Sequence, residues 1–199
     1  MASLGTLPRM HVKKRSFDSA PPHHVNDVLI STEQIQERVD TLVTEMLEDC
    51  RVEDLVIIGI LRGSFVFLAD LVRNLYQHGV HPRIDFMTLA SYGSGTESSG
   101  EVQIRKDITV DVSGARVFLV DDILDTGRTL SFACRHLREK GAQTIQTCVL
   151  LDKPSRRVIP FQADYVGFDI EDVFVVGYGL DYSSYYRELP YIAKVTFGE

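Results

Sequence analysis

A chain of 199 residues with 44% hydrophobic and 25% charged side chains has ordinary globular composition and is long enough for one domain with a full core. The formal net charge of -7 argues against a nucleic-acid surface, which carries a basic stripe, but leaves room for an anionic substrate held by local cations and a metal. Cys50, Cys134 and Cys148 are odd in number and lack a CxxC spacing, against a disulfide framework or structural zinc. No run reaches the ~18 apolar residues of a membrane span, and no apolar leader opens the chain, so a reducing cytoplasm is the expected compartment.

Residues 1–26 mix Lys13-Lys14-Arg15 with Pro21-Pro22-His23-His24 and read as a flexible N-terminal arm, leaving 27–199 as a single domain. Ser31 and Gln34 have the spacing of a capping box. Ile35, Val39, Leu42, Val43, Met46 and Leu47 follow at helical spacing to near Asp49. Asp54 to Leu61 (DLVIIGIL) predicts the first central strand and Arg62-Gly63-Ser64 a turn. A second helix runs from Ser64 to His78, with Phe65, Leu68, Leu71, Val72 and Leu75 inward and Gly79 closing it. Arg83 to Leu89 is a strand. Ser91 to Gly100 (SYGSGTESSG) has three glycines, four serines and no aliphatic residue, so it cannot join a core. It reads as a solvated hairpin tip or a mobile lid, and its length favours a lid, drawn as 91–104.

Val117-Phe118-Leu119-Val120 run continuously apolar, as a buried parallel strand does, and lead into Asp121, Asp122 and then Asp125. The chain turns through Thr126, Gly127, Arg128 and Thr129 into a helix to Lys140, stopped by Gly141. Thr144 to Leu150 is the next strand. Tyr165 to Phe168, Val173 to Val176 and Ile192 to Phe197 supply late ones. This order predicts an α/β fold: an open, mostly parallel twisted sheet with helices on both faces, binding ligand beyond the carboxyl ends of its strands where strand order switches.

A strand ending in paired acids, a glycine turn and a helix start suits a phosphorylated sugar. The helix N-terminus leaves unpaired N–H donors for phosphate, and the carboxylates can accept from sugar hydroxyls or sit on a divalent cation. A bare Asp-Asp pair at a sheet edge is also common, and Thr-Gly is ordinary turn chemistry. The whole run, VFLVDDILDTGRTL, resembles the 5-phosphoribosyl-1-pyrophosphate (PRPP) motif of the type I phosphoribosyltransferases. Its DDILDTG centre is similar to the 6-oxopurine branch, the hypoxanthine(-guanine) enzymes, and the resemblance covers about Leu55 to Arg187.

That resemblance implies a purine salvage reaction: 5-phosphoribosyl passes from PRPP to N9 of hypoxanthine, and of guanine, giving IMP or GMP and pyrophosphate with Mg²⁺ as cofactor. It adds to the fold a small hood built from the N- and C-terminal segments. It implies that Thr126, Gly127, Arg128 and Thr129 hold the 5-phosphate and that Asp121 and Asp122 hold the ribose hydroxyls, directly or through Mg²⁺. Arg62, Gly63 and Arg187 would meet pyrophosphate, with a cis peptide at Leu61–Arg62, and Ser91-Tyr92 would open the lid. Many relatives carry lysine where this chain has Arg62.

Asp125 is implied as the catalytic base for the purine N7 proton. An acid inside a phosphate loop opposes anion binding and so needs another purpose, although a helix N-cap is the simpler structural role. Lys153, Phe174, Val175 and Asp181 would form the purine site, with Asp181 also on a pyrophosphate-side magnesium. Taken singly, such a lysine is ordinarily solvated and such a phenylalanine ordinarily core. A lysine donates only, which favours a 6-keto purine. The alternatives are an enzyme for another base such as xanthine, or a non-catalytic phosphoribosyl-binding regulator. Expected partners are PRPP and a 6-oxopurine, with no nucleic acid and no membrane, in a homodimer or homotetramer.

Overall fold

The computed structural model describes residues 24–48, 54–92 and 101–196, and in it the continuous apolar runs become parallel strands. In chain order the elements are β1 (His24–Ile30), α1 (Thr32–Glu48), β2 (Leu55–Leu61), α2 (Phe65–Gln77), β3 (Arg83–Tyr92), β4 (Glu101–Lys106) and β5 (Arg116–Leu124). They continue with α3 (Arg128–Glu139), β6 (Thr144–Asp152), β7 (Tyr165–Asp169), β8 (Val175–Val176) and β9 (Ile192–Thr196).

Six strands form one sheet in the order β4-β3-β2-β5-β6-β7, parallel except for the antiparallel edge pair β3–β4. Strand order turns back between β2 and β5, so their carboxyl ends frame the crevice where such sheets bind ligand. Side chains alternate across the sheet. Leu55 and Ile57 join α1 and α2 in a core with Phe118, Val120 and Leu150. Val56, Ile58 and Ile60 join Leu119, Val149 and the Leu130, Ala133, Cys134 and Leu137 face of α3 on the other side.

A second sheet, β1-β9-β8, is the expected hood. It corrects the N-terminal boundary, because His24 and Val25 pair with Thr196 and Val195 instead of belonging to a free arm. The rest of the arm, 1–23, lies outside the described residues. The 91–104 segment changes too: Ser91 and Tyr92 end β3 opposite Val102 and Glu101, and 101–104 belong to β4, a strand absent from the sequence reading. Residues 93–100 lie outside the described residues. Cys134 and Cys148 are buried free thiols, pushed up by desolvation to about 11 and about 12, which makes them packing residues. Cys50 lies outside the described residues. Among the described residues no helix is long and apolar enough to cross a membrane.

The capping box forms as spaced. Ser31 N–H donates to Gln34 Oε1 at 2.8 Å, and Gln34 N–H donates to Ser31 Oγ at 3.3 Å. Ser31→Ala should therefore cost about 1 kcal/mol, read as a lowered urea midpoint at unchanged slope. An unmoved midpoint would show that the box contributes nothing to α1.

Candidate active site

The paired acids lie inside a strand. β5 keeps its ladder with β6 through Asp121↔Val149, Ile123↔Leu151 and Leu124↔Asp152, so Asp121 and Asp122 are carried into the interior and do not project from a strand end. Asp121 is buried and accepts from the Asp122 N–H at 3.0 Å. Asp122 presses against the turn after β2: a Cβ on Gly63 would stand 1.3 Å from its Oδ2, so no larger residue fits that turn. On the far side Gly179, at φ +103, packs so closely that a Cβ there would stand 2.1 Å from Gly63 O. The Leu61–Arg62 peptide entering this turn is cis.

Burial raises both carboxyls above their ordinary value. The charge of Asp122 adds to this at Asp121, whereas hydrogen bonds to Asp121 and backbone, with the more distant Arg187 charge, oppose it at Asp122. Two adjacent acids, one buried and one at the cavity wall, that resist ionising together suit a hydrated divalent cation shared with phosphate oxygens. A cage made of protein alone is excluded among the described residues, since no group of three or more His, Cys, Asp or Glu converges.

Beyond β5 the chain passes Asp125 and Thr126 to Gly127, at φ +83, which caps α3 with no side-chain hydrogen bond to the helix. This corrects the N-cap expectation for Asp125, which sits two residues too early. The first-turn amides of a helix have no partner within the helix itself, and among the described residues Arg128 N–H reaches Thr126 Oγ at 3.4 Å. Arg62, Gly63, Asp121, Asp122, Asp125 to Leu130 and Arg156 line a cavity of about 430 Å³ over this helix end.

The loop is tied from beneath by the segment after β6. Lys153 N–H donates to Leu124 O at 3.0 Å, and Val158 and Ile159 N–H donate to Thr126 O at 3.1 and 3.0 Å. Arg157 donates to Leu124 O at 3.1 Å and also to Asp125 O while pairing with the partly buried Asp152.

A second cavity of about 1150 Å³ continues from the first and is lined by Arg105, Lys153, Asp172, Phe174, Val175, Leu180, Asp181 and Arg187. Lys153 is 8% exposed, which corrects the solvated reading; its Nζ donates to Val173 O at 2.7 Å. Phe174 is 44% exposed, away from the core position ordinary for a phenylalanine taken singly, with its ring edge-on to Tyr182 at 5.5 Å. Val175 is buried in β8. Asp181 is held by Arg187 at 2.6 Å and by the Ser184 N–H at 2.6 Å, while Arg187 also donates to Gly179 O at 2.6 Å.

The structure thus gathers Arg62, Gly63, Asp121, Asp122, Asp125, Thr126, Gly127, Arg128, Thr129, Lys153, Phe174, Val175, Asp181 and Arg187 around two joined cavities. Ser91 and Tyr92 are placed only as the end of β3. Sequence reasoning missed Arg105, Arg156, Arg157 and Asp172. The run Lys153-Pro154-Ser155-Arg156-Arg157 directly after a strand was the available signal.

A carboxyl whose folded value is raised stabilises the fold below the ordinary aspartate value of 3.8 and loses that contribution as pH rises through the folded value. In metal-free protein at about pH 7, Asp121→Asn should therefore raise Tm by a few degrees, with the gain fading towards about pH 3 where both states are protonated. Thermal unfolding in EDTA checks this, and an unchanged or lowered Tm at the higher pH would mean that the pair is not a burden on the fold.

The phosphoribosyl transferase domain family matches residues 31–183. The chain is 44% identical over 182 residues to the hypoxanthine phosphoribosyltransferase of Haemophilus influenzae, covering 89% of this chain and 98% of that one. It is 44% identical over 170 residues to the hypoxanthine-guanine phosphoribosyltransferase of Bacillus subtilis, covering 85% and 93%. The crystal structure of a hypoxanthine-guanine phosphoribosyltransferase from Bacillus anthracis, with HEPES in its active site, aligns with a TM-score of 0.82 at 44% identity, covering 87% of this chain and 100% of that one. With a fold, a sheet-switch crevice and a sequence that all agree, this chain belongs to the phosphoribosyltransferase family, beside the proteins named hypoxanthine and hypoxanthine-guanine phosphoribosyltransferase.

Proposed function

We propose that this protein is a purine salvage enzyme moving 5-phosphoribosyl from PRPP to N9 of hypoxanthine, and of guanine, with release of pyrophosphate and formation of IMP or GMP. The observation that carries the reading is the wall shared by the two cavities. Arg62, Gly63, Asp122, Asp125 and Arg156 line both, so a phosphosugar in the smaller and a planar base in the larger would meet at Asp125.

The unpaired amides of the 126–129 turn and the open end of α3 would hold the 5-phosphate. Asp121 and Asp122 would take the ribose hydroxyls and hold magnesium, a fit supported by their burial and mutual repulsion. When bound, magnesium neutralises charge on the leaving pyrophosphate. Arg62, the Gly63 backbone and Arg187 would grip that group, Arg187 turning from Asp181, which would then be open to a second magnesium.

C1 becomes oxocarbenium-like as its bond to pyrophosphate breaks, and Asp125 would accept the N7 proton as N9 attacks. Lys153, already held by Val173 O, would donate to the 6-oxo group, and a 6-amino purine offers it no acceptor there. The exposed Phe174 ring would stack on the base while the Val175 main chain reads its edge. Water exclusion is assigned to the segment drawn as 91–104, whose last four residues belong to β4, on the composition of 91–100 alone, rich in glycine and serine without an aliphatic residue. The same reading takes the protein to be cytoplasmic and a homodimer or homotetramer.

Incubation with PRPP, Mg²⁺ and each of hypoxanthine, guanine and xanthine, followed by nucleotide absorbance, tests the reading. Turnover of none of them would leave a phosphosugar-binding protein. Asp125→Asn should lose about 10²–10⁴ in kcat while calorimetry shows PRPP binding retained, since a general base contributes that much. Wild-type turnover in that variant would remove Asp125 as the base.

A further inference from the structure

We infer that Arg156 is a positioning residue that fixes the attitude of the Asp125 carboxylate for proton transfer, as the middle of a charge row Asp125–Arg156–Asp172–Lys153 along the wall of the base cavity. The inference deepens the proposed function and rests on the base role given there to Asp125.

The loop carrying Asp125 is fixed by its backbone. Lys153, Arg157, Val158 and Ile159 bond the carbonyls of residues 124–126, and none of those bonds reaches the Asp125 carboxylate. The side chain is held separately: Arg156 Nε donates to Asp125 Oδ1 at 3.2 Å, and Oδ2 has no hydrogen-bond partner among the described residues. One oxygen is anchored and the other is left to receive a proton. Without the anchor the half-exposed side chain is free to sample its other staggered χ1 wells, and a base in the wrong well is out of reach of N7.

Arg156 is itself well placed. It ends the short 3-10 turn Pro154–Arg156, whose proline opens it, and its N–H bonds Lys153 O at 3.0 Å. Its Nη1 stands 3.7 Å from Asp172 Oδ2, and Asp172 Oδ1 stands 4.0 Å from Lys153 Nζ. Charges alternate along the row, so one turn presents both the group assigned to the 6-oxo oxygen and the group that orients the base.

Stability does not account for the contact. The Arg156 and Asp125 side chains are 48% and 39% exposed, and exposed pairs contribute little. The neighbouring Arg157 differs, being only 15% exposed, paired with Asp152 and bonded to loop carbonyls. Adjacent arginines thus divide the work, one holding the loop and the other its side chain.

Arg156→Gln, Arg156→Lys, Asp125→Asn and the double variant D125N/R156Q decide the matter, with PRPP, Mg²⁺ and hypoxanthine. Arg156→Gln should lower kcat about tenfold, part of the 10²–10⁴ available from a positioned base, with KM for PRPP and Tm little changed. Arg156→Lys should recover part of the loss, since it keeps the cation without the planar fork. In the D125N background R156Q should cost less than about twofold further, because the two act as a unit. An independent tenfold loss in that background, an unchanged kcat, or a raised KM for PRPP alone would overturn the inference while leaving Asp125 as the base. Full turnover in D125N alone would overturn the base role and this inference with it.

Discussion

The site depends on close approaches at two glycines. Gly63 after β2 lies against Asp122 of β5, and Gly179 lies against Gly63, each with no room for a Cβ. Those contacts draw together the turn after β2, the paired acids and the segment bearing Asp181 and Arg187. Each comes from a different part of the chain, and the strand switch between β2 and β5 gives them a common opening. Here a missing side chain does the positioning.

Much of this was legible in the residues, and the misses share a cause. β2, α2, β5 and α3 have strong local patterns, continuous apolar runs or helical periodicity, so their sequence sufficed. β1 and β4 do not. HVNDVLI was overshadowed by the Pro- and Lys-containing run before it, and EVQIRK is an edge strand with charged positions that pairs, among the described residues, with β3 alone. The extension of β5 past its apolar residues, which buries Asp121, is dictated by the distant β6. The burial of Lys153 likewise depends on the Val173 carbonyl. Local reading also misplaced the cap of α3, where Gly127 makes the turn that Asp125 was a candidate to cap. Most of the candidate site residues were readable through the DDILDTG resemblance, whereas Arg156 and Asp172 became visible only as partners in space.

Within that frame the acids set stability against use. Asp121 and Asp122 are adjacent, the first buried and the second partly so, and both raised in proton affinity, an arrangement a fold under no functional demand would avoid. The surrounding core makes it tolerable: fully buried Phe118, Leu119, Val149 and Leu151 flank the acids on β5 and β6. Locally inconsistent residues held by an otherwise consistent frame are what a binding site looks like when physics is read upward from sequence.

The hood joins the first described strand to the last. β9 lies between β1 and β8, and the Val195 N–H bonds Phe174 O at 3.0 Å, so the aromatic ring assigned to the base rests on a ladder whose outer member is the His24–Ile30 strand. On the proposed function, an N-terminal fusion or a protease nick near that strand would be felt as altered discrimination between purines, at a place remote from it along the chain, and a tag's position becomes a variable in any measurement of selectivity.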